Sequence, residues 1–288
     1  MRPGTSARAR TATTSTELTP ARLGEAAERP VVPPAPDPEA VVERLRAGDL
    51  EVIGQLIGSS NNAMVVRVWP SRPGASDLGR PIDPDDLLAV WKPTRGERPL
   101  FDFPIGTLTR REVAAHLVSE TMGWGIVPPT VLRDGPHGEG MLQQWIDVDA
   151  EADVVAMVND DDPRLRRVAT FDAVVNNTDR KAGHLLPRPD GHLHAVDHGV
   201  TFSAVPKLRT VLWAWVGEPF DDEELAALAR VGDMLGAGAR PGTLAIGLAQ
   251  LISDAEIEAT RARVADLLRT GTFPGPNPEW PAIPWPPY

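Results

Sequence analysis

The sequence predicts an α+β fold, and three observations predict it. Short apolar runs separated by polar, Gly-flanked turns recur through the first half of the chain. The second half repeats its apolar residues at helical spacing, and proline-rich stretches bracket the whole. The 288 residues suffice for one large domain or two modest lobes with a sizeable core. Apolar residues make up 42% and charged residues 24%, an ordinary globular balance.

Taken in order, residues 1–38 hold seven prolines, and the first 19 hold eight Ser or Thr. Such a stretch buries too little apolar surface to offset its ordering entropy, so a flexible tail is expected. Pro38 to Gly48 reads as a short helix carrying Val41, Val42 and Leu45. Glu51–Gly58 and Ala63–Trp69 read as two strands around the polar tetrad Ser59-Ser-Asn-Asn62, a hairpin signal. A loop rich in Pro, Gly and Asp fills 70–86, and Leu87–Lys92 is a third strand. Thr109–Met122 has helical spacing, and strands Val127–Leu132 and Gly140–Ile146 follow. Beyond Asp161 the pattern is helical: Arg164–Asn177, Asp221–Leu235, Gly242–Ile252 and Asp254–Leu268. Residues 39–146 therefore form a sheet-rich lobe and 147–273 a helical one. The last segment, 274–288, has seven prolines with Trp280, Trp285 and Tyr288, which suggests extended polyproline geometry. It either lies in a surface groove of its own domain or serves as a docking peptide for another chain.

Composition excludes several classes. Lys and Arg total 29 against 40 Asp and Glu, a net charge of −11, which disfavours nucleic acid and anionic membrane surfaces as partners. Cysteine is absent, so disulfides, thiolate zinc sites and cysteine nucleophiles are excluded. No apolar run approaches the ~18 residues of a spanning helix. Met1–Pro20 lacks the apolar segment of a signal peptide. The expectation is a soluble, cytoplasmic protein without stable membrane insertion.

The chemistry concentrates in Phe171-Asp-Ala-Val-Val-Asn-Asn-Thr-Asp-Arg-Lys-Ala-Gly-His184 and, after a turn at Pro187–Gly191, His192-Leu-His-Ala-Val-Asp-His-Gly-Val-Thr-Phe202. An apolar helix delivers a polar loop with Asp179 and Arg180. A hairpin then returns a second acid, Asp197, beside it, with His198-Gly199 allowing a sharp turn. Two carboxylates on adjacent loops can divide a nucleophile's proton and a metal ion between them. Alone, each is more simply a turn residue or surface ion pair. Lys92 on a strand stands 20 residues before Glu112 on a helix; alone they read as a snorkelling lysine and a solvated glutamate. Together, the order of phosphate-covering hairpin, strand Lys, helix Glu, hinge strand, catalytic loop and metal-binding Asp is that of phosphoryl transfer.

Asn177-Thr-Asp-Arg180 and Ala195-Val-Asp-His-Gly-Val-Thr-Phe202 resemble the catalytic and metal-binding segments of type II phosphatidylinositol 4-kinases. More broadly they resemble the phosphatidylinositol 3-/4-kinase-like branch of the protein-kinase fold, and the composition suggests an actinobacterial branch. Val90-Trp-Lys-Pro93, Arg111-Glu-Val-Ala-Ala115, Gly125–Thr130 and Leu142-Gln-Gln-Trp-Ile146 resemble that family's lysine strand, glutamate helix, following strand and hinge. The likeness covers roughly residues 50–205 and implies a two-lobed, protein-kinase-like α+β fold that uses ATP with Mg²⁺ or Mn²⁺. It implies that Lys92 holds the α/β-phosphates and pairs with Glu112. Backbone N–H groups of Gly58, Ser59, Ser60 and Asn61 would cover the phosphates, and the backbone of Gln143, Gln144 and Trp145 would meet adenine. Asp179 would take the acceptor's proton, Arg180 would support the loop, and Asp197 would bind metal. His184 stands where these kinases carry a metal-binding Asn, so it either binds metal, favouring Mn²⁺, or leaves one ion held by Asp197. An impaired site is the third reading.

His192 and His194 alternate on one strand and project to one face, as a packed or solvent-facing pair rather than zinc ligands. His116, four residues after Glu112, reads as a core or helix-surface residue. Trp213 and Trp215 read as packing between the metal-binding segment and the helical lobe, with lipid or substrate contact as the alternative. With no cysteine to acylate and no polybasic run, the resemblance points to a protein Ser/Thr, including the chain's own, or a small-molecule hydroxyl rather than a lipid. The alternatives are a catalytically weak nucleotide-binding regulator and a nucleotidyl transferase.

Overall fold

Asp37 starts the first described element. Its carboxylate accepts from the Glu39 N–H at 3.2 Å, and helix α1 runs over Pro38–Ala47 with Arg44 and Arg46 in its last turn. The computed structural model describes residues 37–56, 62–70, 79, 86–237 and 240–288. The expected tail up to residue 36, the phosphate-covering residues Gly58, Ser59, Ser60 and Asn61, and most of the loop 70–86 lie outside the described residues.

Five antiparallel strands follow: β1 Asp49–Gln55, β2 Met64–Trp69, β3 Leu87–Pro93, β4 Thr130–Gly135 and β5 Gly138–Gln144, in the order β1-β2-β3-β5-β4. Along β3 burial alternates. Leu87, Ala89 and Trp91 join Val41 and Leu45 of α1 in a small apolar core. Strand pleat then places Leu88, Val90 and Lys92 on the opposite face. The β4–β5 hairpin makes room for Trp91 with two glycines. A Cβ on Gly135 would stand 2.6 Å from the indole, and one on Gly140 would stand 2.8 Å from it.

The expected strand at 127 begins instead at Thr130. Pro128 and Pro129 have no N–H for a ladder, although the Pro129 carbonyl accepts from Gln144 N at 2.9 Å. The partner strand correspondingly spans 138–144 rather than 140–146.

Helix α2 (Leu108–Met122) ends at Gly123, whose φ of +75° permits the left-handed cap. Helices α3 (Val154–Asn159) and α4 (Leu165–Val175) lead to a small hairpin of β6 (Leu185–Pro187) and β7 (Leu193–Ala195). Six residues are too few for α3 to leave a periodic signal; Asp153 caps it. Asn176, at φ +50°, stops α4 two residues before the expected end. Then come α5 (Asp222–Leu235), the short pair β8 (Gly236–Ala237) and β9 (Arg240–Pro241), α6 (Thr243–Leu248) and α7 (Asp254–Thr270). Both α5 and α7 open with capping boxes, Asp221/Glu224 and Ser253/Glu256.

A second, larger core gathers Val118, Phe171, Val174, Phe202, Leu228 and Leu248 from across these elements. The fold class is α+β, as the sequence predicts. Trp215 is buried in the larger core, while Trp213 donates its indole N–H to Ala282 O at 3.0 Å. His192 and His194 share a face, ring centroids 4.4 Å apart. Among the described residues no helix is long and apolar enough to cross a membrane.

Candidate active site

Strand β3, helix α2 and the turn after β7 deliver three charges to one point. Lys92 Nζ lies 2.7 Å from Glu112 Oε1 and 3.0 Å from Asp197 Oδ1. Glu112 uses its other oxygen, Oε2, to accept from the His198 N–H at 2.8 Å. The glutamate thus ties the lysine to the backbone of the turn that carries Asp197. Burial opposes the Lys92 charge, but Asp197 and Glu112 outweigh it and hold the ammonium well above its ordinary value. Lys92 in turn pulls Asp197 well below the usual carboxylate range. The trio carries one net negative charge, which suits a divalent cation.

Asp197 has φ +63°, a left-handed backbone that costs a non-glycine residue about 1 kcal/mol. The sharp turn expected at Gly199 is therefore made by Asp197 itself. At Gly199 the constraint is close approach, since a Cβ there would stand 3.4 Å from that of Leu108.

Asp179 sits on the loop after α4, with Lys181 Nζ 3.3 Å from its carboxylate. Burial raises its pKa, and Lys181 opposes the rise. The loop is fixed from beneath by a network that sequence reading passed over. Asp172, fully buried on α4, accepts from Arg180 Nε at 3.0 Å and Nη2 at 2.9 Å, and from Asn177 Nδ2 at 2.9 Å. Asn177 Oδ1 in turn accepts from the Asp179 N–H at 3.0 Å. Arg180 also donates to Val196 O at 3.0 Å and faces His198 Nε2 at 2.6 Å. One helical carboxylate therefore orients both acid-bearing loops. The signal available in the sequence was the spacing Asp172-x₄-Asn177, an acid one helical turn before a polar loop.

His184 places Nε2 3.4 Å from Asp197 Oδ2. Burial lowers its pKa to about 4, so the imidazole is neutral and carries one N–H. Nδ1 is buried without a hydrogen-bond partner, and Nε2 is the ring nitrogen turned towards the Asp197 carboxylate. Among the described residues no group of three or more His, Cys, Asp or Glu is arranged to hold a metal ion. Among the described residues, the Asp197 carboxylate is 43% exposed and within reach of a hard cation.

The expected hinge is partly committed to the sheet. Gln143 lies inside β5, paired with Val90 and Thr130, and its side chain donates to Thr130 Oγ1 at 2.9 Å. The N–H groups of Gln144 and Trp145 donate to Pro129 O and Leu88 O, both at 2.9 Å. Neither N–H can meet adenine without breaking the sheet. Among the described residues of this segment, the backbone left without backbone hydrogen bonds begins at the Trp145 carbonyl and continues to Val148.

No family model matches the chain. Among solved structures, the Helicobacter pylori proinflammatory kinase CtkA is similar at a TM-score of 0.44 and 12% identity, over 80% of this chain and 94% of that one. "Protein Rv2133c" of Mycobacterium tuberculosis is 40% identical over 279 residues, which take in 85% of this chain and 94% of that protein. This chain belongs to the family of that mycobacterial protein.

Proposed function

We propose that the chain is a phosphotransferase that moves the γ-phosphoryl group of ATP to a hydroxyl. The observation that carries this reading is the meeting of Lys92, Glu112 and Asp197 within 3.0 Å contacts, beside a loop bearing Asp179. Lys92 binds the α/β-phosphates, and Glu112 keeps it aimed. Asp179 takes the acceptor's proton as the acceptor oxygen bonds to the γ-phosphorus and the bond to the β–γ bridging oxygen breaks, releasing ADP. Its burial makes it a stronger base than an exposed aspartate. Arg180 touches no substrate; it positions the loop from beneath. Asp197 would hold Mg²⁺ or Mn²⁺, with His184 Nε2 3.4 Å from its second oxygen. That ion, when bound, supplies electrostatic stabilisation of the charge spreading over the transferring group. Ile146–Val148 present the backbone groups that meet adenine.

The acceptor is a protein or small-molecule hydroxyl rather than a lipid, because the chain has no cysteine to acylate and a net charge of −11. A second reading, nucleotide binding without turnover, is favoured by the absence of a three-ligand metal cluster among the described residues. Incubation with ATP and either Mg²⁺ or Mn²⁺, followed by intact mass and ADP measurement, separates these. Phosphate addition or ADP release supports transfer, adenylate addition points to nucleotidyl transfer, and bound, unconsumed ATP to a regulator.

A further inference from the structure

Beyond Phe273, which packs on Phe220 and Trp215, the chain leaves the larger core and runs over the surface. Asn277 Nδ2 donates to Pro206 O at 2.7 Å, and Trp280 lies over the Lys207 ammonium, 5.6 Å from ring centroid to nitrogen. The Ala282 carbonyl accepts from Thr210 N at 3.1 Å and from the Trp213 indole at 3.0 Å. Pro284 is buried. The Pro287 carbonyl then accepts from Ala182 N at 3.0 Å, and Tyr288 ends 3.6 Å from where a Cβ on Gly183 would stand. These contacts follow one line, from 206 through 213 and on to 182 and 183. That line joins the segment after Asp197 to the loop between Asp179 and His184.

Most of the bonds along this line go to main-chain carbonyls of the 274–288 segment, so they read its backbone rather than its side chains. That backbone turns at 278–279 and bends at 282–283 and 285–286, in place of the extended polyproline geometry expected from its composition. Those side chains largely face water: Ile283 is 52% exposed, Tyr288 68% and Trp285 86%. A segment held by a few hydrogen bonds of about 1 kcal/mol each belongs to the least stable part of a fold. It can leave without disturbing either core.

We infer that the surface strip made by residues 181–184 and 206–213 is a binding groove for a proline-containing polypeptide read through its main-chain carbonyls, and that residues 277–288 are its tethered occupant. The hydroxyl acceptor of the proposed transfer is accordingly carried on a polypeptide that enters along the same line. This last clause rests on the phosphotransfer reading; the groove and its occupant do not. Tethering gives the occupant a millimolar-range effective concentration, so an acceptor reaches the loop only when the segment lifts.

The test uses a fluorescent synthetic peptide of residues 274–288, with anisotropy measured on the full chain and on a variant lacking 281–288. The shortened protein should bind the peptide about tenfold or more tightly than the full chain, and adding Trp213→Phe should weaken that binding. Full-length Pro284→Asp, which puts a charge at a buried position, should release the segment and open the groove in a chain of normal length. Equal binding by the full chain, or no binding by either folded variant, overturns the groove. In parallel, ATP binding and phosphate transfer to dephosphorylated casein are measured on the same proteins. Higher incorporation by the released variants supports a polypeptide acceptor. Equal or lower incorporation with ATP still bound overturns that clause alone. Loss of ATP binding in every protein overturns the phosphotransfer reading and its acceptor clause, while anisotropy still decides the groove.

Discussion

The guanidinium of Arg180 lies 2.6 Å from His198 Nε2, and both residues are fully buried. A guanidinium can only donate, so the imidazole accepts at Nε2 and keeps its proton on Nδ1, 4.0 Å from Glu112 Oε2. Burial, and next Arg180, hold the His198 pKa well below its ordinary value. Substituting His198→Leu should leave a buried N–H of Arg180 unpaired and cost about 1–3 kcal/mol, read as a lower urea midpoint with an unchanged slope. A midpoint equal to wild type would mean that water replaces the acceptor.

Asp197→Ala should lower metal-dependent ATP turnover by about two to three orders of magnitude. The circular dichroism spectrum should be retained, because Lys92 keeps Glu112 as a partner. Turnover within a factor of about two of wild type would remove Asp197 from the site.

Lys92→Met should depress ATP use more than Glu112→Gln, since Glu112 acts by aiming Lys92. Because both changes disable one unit, the double variant should be little worse than Lys92→Met alone. Fully additive losses in kcat/KM would argue against a functional ion pair.

His184→Asn keeps a polar side chain beside Asp197, so turnover should be largely retained and the Mg²⁺/Mn²⁺ ratio unchanged. His184→Ala should be the poorer enzyme. A shift from Mn²⁺ towards Mg²⁺ in His184→Asn would instead make the imidazole a metal ligand.

Acid should unfold this protein through its buried histidines. Burial lowers the pKa of His116 and His194, like that of His184, from 6.5 to about 4. Between those values the unfolded chain binds protons that the folded chain refuses. Stability is therefore complete above pH 6.5 and falls as pH drops towards 4, by about 1.4 kcal/mol per pH unit for each such group. His116→Gln should flatten the slope of melting temperature against pH over that window, and an unchanged slope would show that His116 is not among the groups responsible.

The strand and helix periods were legible because they depend on local spacing, whereas Lys92, Glu112, Asp179 and Asp197 stood out only through their joint order along the chain. Which hinge groups stay free was not legible, because sequence does not reveal which N–H groups a strand consumes: Pro129 and Leu88 take those of Gln144 and Trp145. Asp172 was overlooked for a related reason. On a helix its role is visible only once Arg180 and Asn177 have been folded back beneath the loop.

Glu256 serves two neighbours at once. Its Oε2 accepts from the Ser253 N–H at 2.9 Å to cap α7, and its Oε1 lies 2.6 Å from the buried guanidinium of Arg111. Arg111 in turn donates to Thr201 O at 2.8 Å, four residues past Asp197. A thermostabilisation campaign would treat residue 256 as an ordinary helix-start position, free to exchange for glutamine. Here that exchange would strand a buried cation whose other hand steadies the turn that carries Asp197. The cap of a peripheral helix is thus not a neutral place to edit, and variants there should be screened for activity as well as for heat resistance.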